Sequence, residues 1–250
     1  MERDLRLNQF LAACGLGSRR RCDVLVAAGR VLVNAMPATV GMRVGPFDRV
    51  LVDGQPVDPA PRDAIWMLNK PAGVLSAARD ARGRTTVVDL ARAGGISVRV
   101  FPVGRLDLET TGLLLLTNDG DLAHRLMHPT HAVEKEYEAM VANRPSPSAL
   151  ERLRAGPVLE DGPTSPCSAA VEPRDAMFLV RLVIHEGRKR QVRRMLASVG
   201  CPVVALHRVR VGPLWLGELQ PGALRALTPS ERAVLVGGSS PAVPASGHEA

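Results

Sequence analysis

The chain has 250 residues, 46% hydrophobic and 23% charged, enough apolar side chains for a packed core and too few charges for wholesale disorder. Its 32 Lys and Arg against 25 Asp and Glu leave a formal charge of +7, which favours an anionic partner. No run approaches the ~18 apolar residues of a membrane span, and Met1-Glu2-Arg3-Asp4 lacks the order of a signal peptide, so a cytoplasmic protein is expected.

From the N-terminus, Leu7, Phe10, Leu11 and Cys14 fall at helical spacing, and Gly15-Leu16-Gly17 ends that helix. Ser18 is placed to cap a second helix, 19–28, stopped by Gly29. Arg19, Arg20 and Arg21 crowd its first turn, where the helix dipole disfavours cations, an arrangement that makes sense if phosphates dock there. Short β runs follow at 31–34 and 49–52, the second closed by the hairpin signal Asp53-Gly54. Ser18-Arg19-Arg20, Gly29-Arg30-Val31-Leu32-Val33-Asn34 and Asp48-Arg49-Val50 together resemble the S4 RNA-binding domain. Ala35 stands where that pattern has a glycine, so the hairpin there is expected to differ in shape. Residues 55–63, with three prolines, are expected to be a stiff linker.

Beyond it, Ile65-Trp66-Met67-Leu68 reads as a buried strand that turns out through Asn69-Lys70-Pro71. Phe101-Pro-Val-Gly-Arg-Leu-Asp-Leu-Glu-Thr-Thr-Gly then feeds Leu113 to Leu116, a strand with both faces covered. Asp107 lies in that loop, braced by the core, with Arg105 two residues earlier; a turn or cap role is the alternative for a loop aspartate. Asp119 and Asp121 are read as turn and cap, with Asp121 capping a helix that runs to Met127. His124 and His128 are four apart, but without Cys or Glu and with Pro129 next no metal is expected. Asp107 and Glu109 have the composition of a glycosidase carboxylate pair, though two residues apart in a loop they need not share a substrate. The four cysteines lack metal or redox spacing and are expected to be free thiols. Aromatics, at 3%, are too few for a base-stacking sheet.

The charge gathers near the C-terminal end. Residues 181–210 carry eight basic groups and one acid, Glu186. The run from Met177 to Ile184 reads as a strand, Glu186-Gly187 breaks it, and 188–199 reads as an amphipathic helix with Val192, Met195, Leu196 and Val199 inward. Lys189/Arg193 and Arg190/Arg194 would be like-charge i,i+4 pairs, unrelieved by any acid on that helix. A nucleic-acid backbone is the anion that best accounts for them. Residues 237–250, rich in Gly, Ser, Pro and Ala, read as a disordered tail.

Gly104-Arg105-Leu106-Asp107, with Leu113 to Gly120 after it, is similar to the signature of the pseudouridine synthases that modify ribosomal RNA, in the subfamily with an N-terminal S4 domain. Asn69-Lys70-Pro71-x-Gly73, Lys135-Glu136-Tyr137, Glu186 to Met195 and Leu206-x-Arg208-Val209-Arg210-Val211-Gly212 match its other blocks in order. The resemblance implies an α+β chain: an S4-like RNA-binding domain at 1–60 and a mixed, largely antiparallel catalytic domain at 61–236. It implies a cofactor-free and metal-free isomerase acting as a monomer on ribosomal RNA or a pre-ribosomal particle. Asp107 would be the catalytic aspartate, Arg193 its cationic partner, Tyr137 the residue stacked on the extruded base, and Arg105 the side chain that fills the vacated space. Lys70, Arg19, Arg20, Arg21, Arg188, Lys189, Arg190 and Arg194 would contact RNA. The basic block favours large-subunit RNA over small-subunit RNA. A non-catalytic assembly factor and a zinc hydrolase built on His124 and His128 are the readings from other classes.

Overall fold

The computed structural model describes residues 4–59 and 64–237, which fall into two compact units. The first comprises the N-terminal residues to Ala64 together with Ser97–Arg99, and the second comprises the remainder from Ile65.

In the first unit the two expected helices form at Leu7–Ala13 and Arg19–Ala27, the Ser18 hydroxyl accepting from the Arg21 amide as N-cap. Such a cap is worth about 1 kcal/mol. Leu7, Leu11, Cys22, Leu25 and Val26 bury one face of the helix pair against a four-stranded sheet. Its central strands, Val31–Val33 and Val50–Val52, run antiparallel and turn Val31, Val33, Val50 and Val52 inward. The Asp53-Gly54 hairpin forms as read, with positive φ at both positions, and its second strand, Gln55–Pro56, replaces the first two residues of the expected linker. A hairpin forms at Asn34-Ala35. It joins Val33 to Met36 by a two-residue turn with φ 52° and 66°, so Ala35 occupies a left-handed position. Residues 60–63, the end of the expected linker, lie outside the described residues, as does the expected tail apart from Gly237.

The second unit is built on a sheet whose strands lie in the order Ser168–Arg174, Met177–Ile184, Lys135–Val141, Val203–Val211, Thr110–Thr117, Ile65–Lys70, Leu224–Ala226. All neighbours are antiparallel except Val203–Val211 and Thr110–Thr117, so the sheet is mixed and the α+β class is confirmed. Leu113 to Leu116 are each no more than 1% exposed, as expected of a strand covered on both faces. Leu113 and Leu115 pack with Leu122, Ala123 and Leu126 of the helix Gly120–Met127. That helix is capped by Asp119, whose carboxylate accepts from the Asp121 and Leu122 amides, and not by Asp121.

The parallel contact demands one glycine. Gly112 lies opposite Arg208 with φ 105°, and a β-carbon there would stand 2.3 Å from the Arg208 carbonyl oxygen. This close approach brings the Arg208 strand against the strand that follows the Asp107 loop.

The basic segment departs from its expected form. The helix begins only at Gln191 and ends at Ser198, while Arg188, Lys189 and Arg190 form a loop before it. Arg190 takes a left-handed conformation, φ 51°, and the Gln191 side chain closes the loop by accepting from the Arg188 amide and donating to Glu186. Lys189/Arg193 and Arg190/Arg194 are therefore not helical pairs.

Candidate active site

Gly104 to Glu109 connect the strand Phe101–Val103 to Thr110–Thr117, and three contacts fix this loop from below. The Ser76 hydroxyl donates to the Leu106 carbonyl at 2.9 Å and accepts from the Leu106 amide at 3.1 Å. The Gly73 amide donates to Leu108. Lys70, completely buried, donates to the carbonyls of Pro71, Leu108 and Thr110 at 2.9, 3.2 and 2.9 Å. An ammonium has three protons, and all three are used. The sequence reading placed Lys70 at an RNA contact; it belongs to the strand Ile65–Lys70 and braces the loop from inside the core. Burial pushes its pKa down to about 8, against the charges of Glu109 and Asp107, which favour the ammonium.

Above the loop lies a cavity of about 770 Å³, within the range that holds a nucleoside. It is lined by Asp107, half-buried, by Arg105, exposed at the rim, and by Thr110, whose buried hydroxyl has no partner. Tyr137, 9% exposed, enters from the strand Lys135–Val141, together with Lys135 two residues before it on the same face. Tyr137 pairs across the strands with Arg208, and the Val203–Val211 strand bulges at this point, since Glu136 pairs with Arg210 and Tyr137 with Arg208. A bulge re-aims side chains, and here Arg208 turns into the sheet. Only 4% exposed, Arg208 donates to the Leu113 carbonyl at 2.8 Å and to the Tyr137 phenol oxygen at 3.4 Å. Arg188, Lys189 and Arg190 line the cavity as well.

Of the residues expected to form a site, Arg105, Asp107, Tyr137, Arg188, Lys189 and Arg190 therefore share one cavity. Arg193 does not line it. No ion pair joins Arg193 to Asp107: the Arg193 guanidinium donates to the Val203 carbonyl at 3.3 Å, and its buried Nε has no partner among the described residues. Burial and the neighbouring Arg190 charge lower its pKa, while the charges of Asp107 and Glu109 oppose that shift, so Arg193 lies within their field. Arg194 is also turned away, forming a two-point contact with Asp161 at 2.9 Å. Arg188 spans both settings, its guanidinium bonded to the Asp161 and Gly162 region. Glu186 pairs with Arg188 at 3.3 Å, and the acid that holds Arg194 comes from a hairpin some 30 residues earlier in the chain, beyond the reach of helical spacing. In the first unit Arg19, Arg20 and Arg21 are exposed at the start of their helix, without ion-pair partners among the described residues.

Ser76 carries no signal in the sequence, Thr110 is only one letter of the Asp107 loop segment, and Lys135 and Arg208 stand in the family blocks without an assigned role. Lys135 was within reach, since it alternates with Tyr137 on one strand face. Arg208 carries only the weak signal of a cation inside a β run. His124, His128 and His131 contact one another ring to ring, but no three His, Cys, Asp or Glu side chains among the described residues are placed to hold a metal.

Residues 64–198 match the RNA pseudouridylate synthase family, and residues 5–50 match the S4 domain. The chain is 40% identical to the ribosomal large subunit pseudouridine synthase B of Bacillus subtilis over 230 residues, covering 90% of this chain and 93% of that one. It is 44% identical over 233 residues to an uncharacterized RNA pseudouridine synthase of Mycobacterium tuberculosis, covering 92% of each. A crystal structure of a pseudouridylate synthase superposes with a TM-score of 0.65 at 32% identity, covering 92% of this chain and 99% of that one. With a half-buried carboxylate and a tyrosine lining one nucleoside-sized cavity on a mixed sheet, and with relatives that match it along nearly its whole length, the chain belongs to the RNA pseudouridylate synthase family, in the branch that carries an N-terminal S4 domain.

Proposed function

We propose that this protein isomerises one uridine of large-subunit ribosomal RNA to pseudouridine, without a cofactor, with Asp107 as the catalytic carboxylate. The observation that carries the reading is the placement of Asp107, Tyr137 and Arg105 on one cavity, with the Asp107 loop pinned by Lys70 and Ser76. The large-subunit assignment follows the names of relatives about 40% identical to this chain, in Bacillus subtilis and Pseudomonas aeruginosa. Such a substrate places the enzyme in the cytoplasm, where it meets ribosomal RNA or a pre-ribosomal particle as a monomer.

Asp107 cannot reach a base inside a helix, so the uridine swings out, at a cost of a few kcal/mol in lost stacking and pairing. Arg105, at the rim, fills the gap. Tyr137 stacks on the extruded base. The C1′–N1 bond breaks, and the ionised Asp107 meets the positive charge that develops at the sugar. Arg193, within the field of Asp107 and Glu109 but not in contact with Asp107, adds positive charge beside the carboxylate loop. The base turns and rejoins the sugar through C5; the C5 proton is lost and N1 gains one, so the reaction balances without an oxidant or reductant. Arg19, Arg20 and Arg21 hold the phosphate backbone, joined by Lys189 and Arg190.

The test is Asp107→Asn in the full chain. Pseudouridine formation is expected to fall by about 10³-fold or more, with RNA affinity changed by no more than about twofold; a variant that still modifies RNA would exclude Asp107, and a selective loss of affinity would assign it to binding. Mapping pseudouridines in cells with and without the protein should lose one position in large-subunit RNA. A loss confined to small-subunit RNA overturns the substrate assignment.

A further inference from the structure

We infer that Lys135 and Arg208 form a cationic edge of the cavity that binds an oxygen of the detached uracil and stabilises the negative charge the base acquires when the glycosidic bond breaks. The inference rests on the reaction proposed above and concerns its other half, the fate of the leaving base.

Arg208 has no carboxylate partner among the described residues, although it is 4% exposed. Two of its five N–H groups are engaged, by Leu113 and Tyr137, and the side chain lines the cavity. A buried cation without an acid is costly unless a ligand completes it. Lys135 compounds the cost. It donates once, to the Val133 carbonyl at 2.8 Å, lines the same cavity, and is close enough to Arg208 to feel its charge. Burial and Arg208 together lower its pKa to about 8, which leaves it largely protonated at neutral pH. Two neighbouring cations with unused protons thus line a cavity that Asp107 also lines.

Depth selects between the anions an RNA could offer. Phosphates follow the backbone outside, where Arg105, Lys189 and Arg190 are exposed. Arg208 lies beneath, bonded to the core strand through Leu113. What reaches that depth is the extruded base. When the C1′–N1 bond breaks, its electron pair leaves with uracil, and the charge spreads from N1 onto O2 and O4. A cationic edge binds that anion more tightly than the neutral ring, so it accelerates cleavage and holds the free base in place while it turns. The Tyr137 phenol oxygen accepts from Arg208, which ties this cation to the residue that stacks on the base.

The experiment compares Lys135→Met, Arg208→Gln, Lys135→Arg and Arg208→Lys in the full chain. Single-turnover conversion of a saturating RNA substrate is measured alongside its Kd, with uridine or 5-deuterouridine at the target position. Lys135→Met and Arg208→Gln are expected to slow conversion by about 10²-fold, with Kd within about threefold and no C5 isotope effect, because cleavage is the step impaired. The charge-retaining variants should recover most of the rate. Weakened Kd with an unchanged saturated rate would assign the pair to phosphate binding and overturn the inference. An isotope effect in Lys135→Met would move Lys135 to removal of the C5 proton and overturn it too. Loss of rate in the charge-retaining variants as well would show that packing, not charge, is at issue. The Asp107→Asn result is independent of all four, so failure here leaves the proposed reaction standing.

Discussion

One hydroxyl, that of Ser76, brackets Leu106 by donating to its carbonyl and accepting from its amide, and thereby fixes the backbone immediately before Asp107. The two residues are 30 positions apart, and the contact is buried. It holds the loop just before the carboxylate, while Lys70 holds Leu108 and Thr110 just after it.

Ser76→Ala should therefore act on the reaction rather than on binding. Displacing a catalytic group by about 1 Å can cost about 10²-fold, so kcat is expected to fall by one to two orders of magnitude, roughly, with KM changed by no more than about twofold. Two buried backbone groups also lose a partner, at about 1–3 kcal/mol of stability. Ser76→Thr keeps the hydroxyl and should retain most of kcat. A Ser76→Ala enzyme with normal kcat would show that the Asp107 loop needs no bracket.

Lys70 makes a prediction in pH. Its folded pKa, about 8, is below its ordinary value of 10.5, so folding penalises the ammonium. Below pH 8 that penalty is fully present. Between about 8 and 10.5 the folded state releases its proton first, and stability rises with pH, by an amount on the order of 3 kcal/mol at most. The thiols of Cys14, Cys22, Cys167 and Cys201, buried or half-buried and with pKa values raised by desolvation, titrate in the opposite sense above pH 9. The difference between the wild type and Lys70→Met isolates the lysine. Denaturant titrations across this window should show wild-type stability gaining on Lys70→Met as pH rises. A constant difference would mean that the three carbonyls fully compensate the buried charge.

What the sequence revealed and what it hid divide along range. The helices and hairpins of the S4 unit, the four-leucine strand and the Asp107 loop follow from caps, turn residues and periodicity, all read within a few positions. The hidden features join distant segments. Lys70 reads as a turn residue beside Pro71, because nothing local says that Leu108 and Thr110 will surround it. Arg194 reads as an unrelieved cation, because its partner Asp161 is on a separate hairpin. The basic helix starts late because Arg190 accepts a left-handed conformation and Gln191 closes the loop, and amphipathic spacing does not register either feature. Arg208 reaches the cavity through a strand bulge and a glycine contact, and both depend on pairing register.

Ala35 offers a stabilising substitution. With φ 66° it pays roughly 1–2 kcal/mol for a left-handed position, and its neighbour Asn34 locks the turn through Asp48 and the Arg49 amide. Ala35→Gly removes the steric strain but adds freedom to the unfolded chain, worth about 0.5–1 kcal/mol in the other direction. A net gain of about 0.5–1 kcal/mol is expected in the S4 unit. Both tryptophans, Trp66 and Trp215, belong to the other unit, so their fluorescence will not report it. Hydrogen exchange at Val31–Val33 and Val50–Val52 will, and these amides should exchange more slowly. Faster exchange would show that the Ala35 methyl group stabilises the turn.

Asp161 sets how much of the basic cluster is available to RNA. Its carboxylate holds Arg194 at two points, accepts from Arg188, and is itself kept well below the usual carboxylate range by the Arg194 hydrogen bonds. Both partners are solvent-accessible, so the contact adds little to stability but neutralises charge beside the cavity wall. Asp161→Asn frees the guanidinium of Arg194 and loosens that of Arg188. Each additional phosphate contact steepens the dependence of log Kd on log salt by about 0.7–0.9, so a slope larger by about one to two is expected, with tighter binding at low salt and convergence with the wild type at high salt. Arg194 does not line the cavity, and Arg188, which does, keeps its contacts with Glu186 and Gly162, so the single-turnover rate at saturating RNA should stay unchanged. An unaltered slope would mean that these arginines serve only to anchor the 158–163 hairpin, leaving Lys189 and Arg190 as the cationic contacts of this wall.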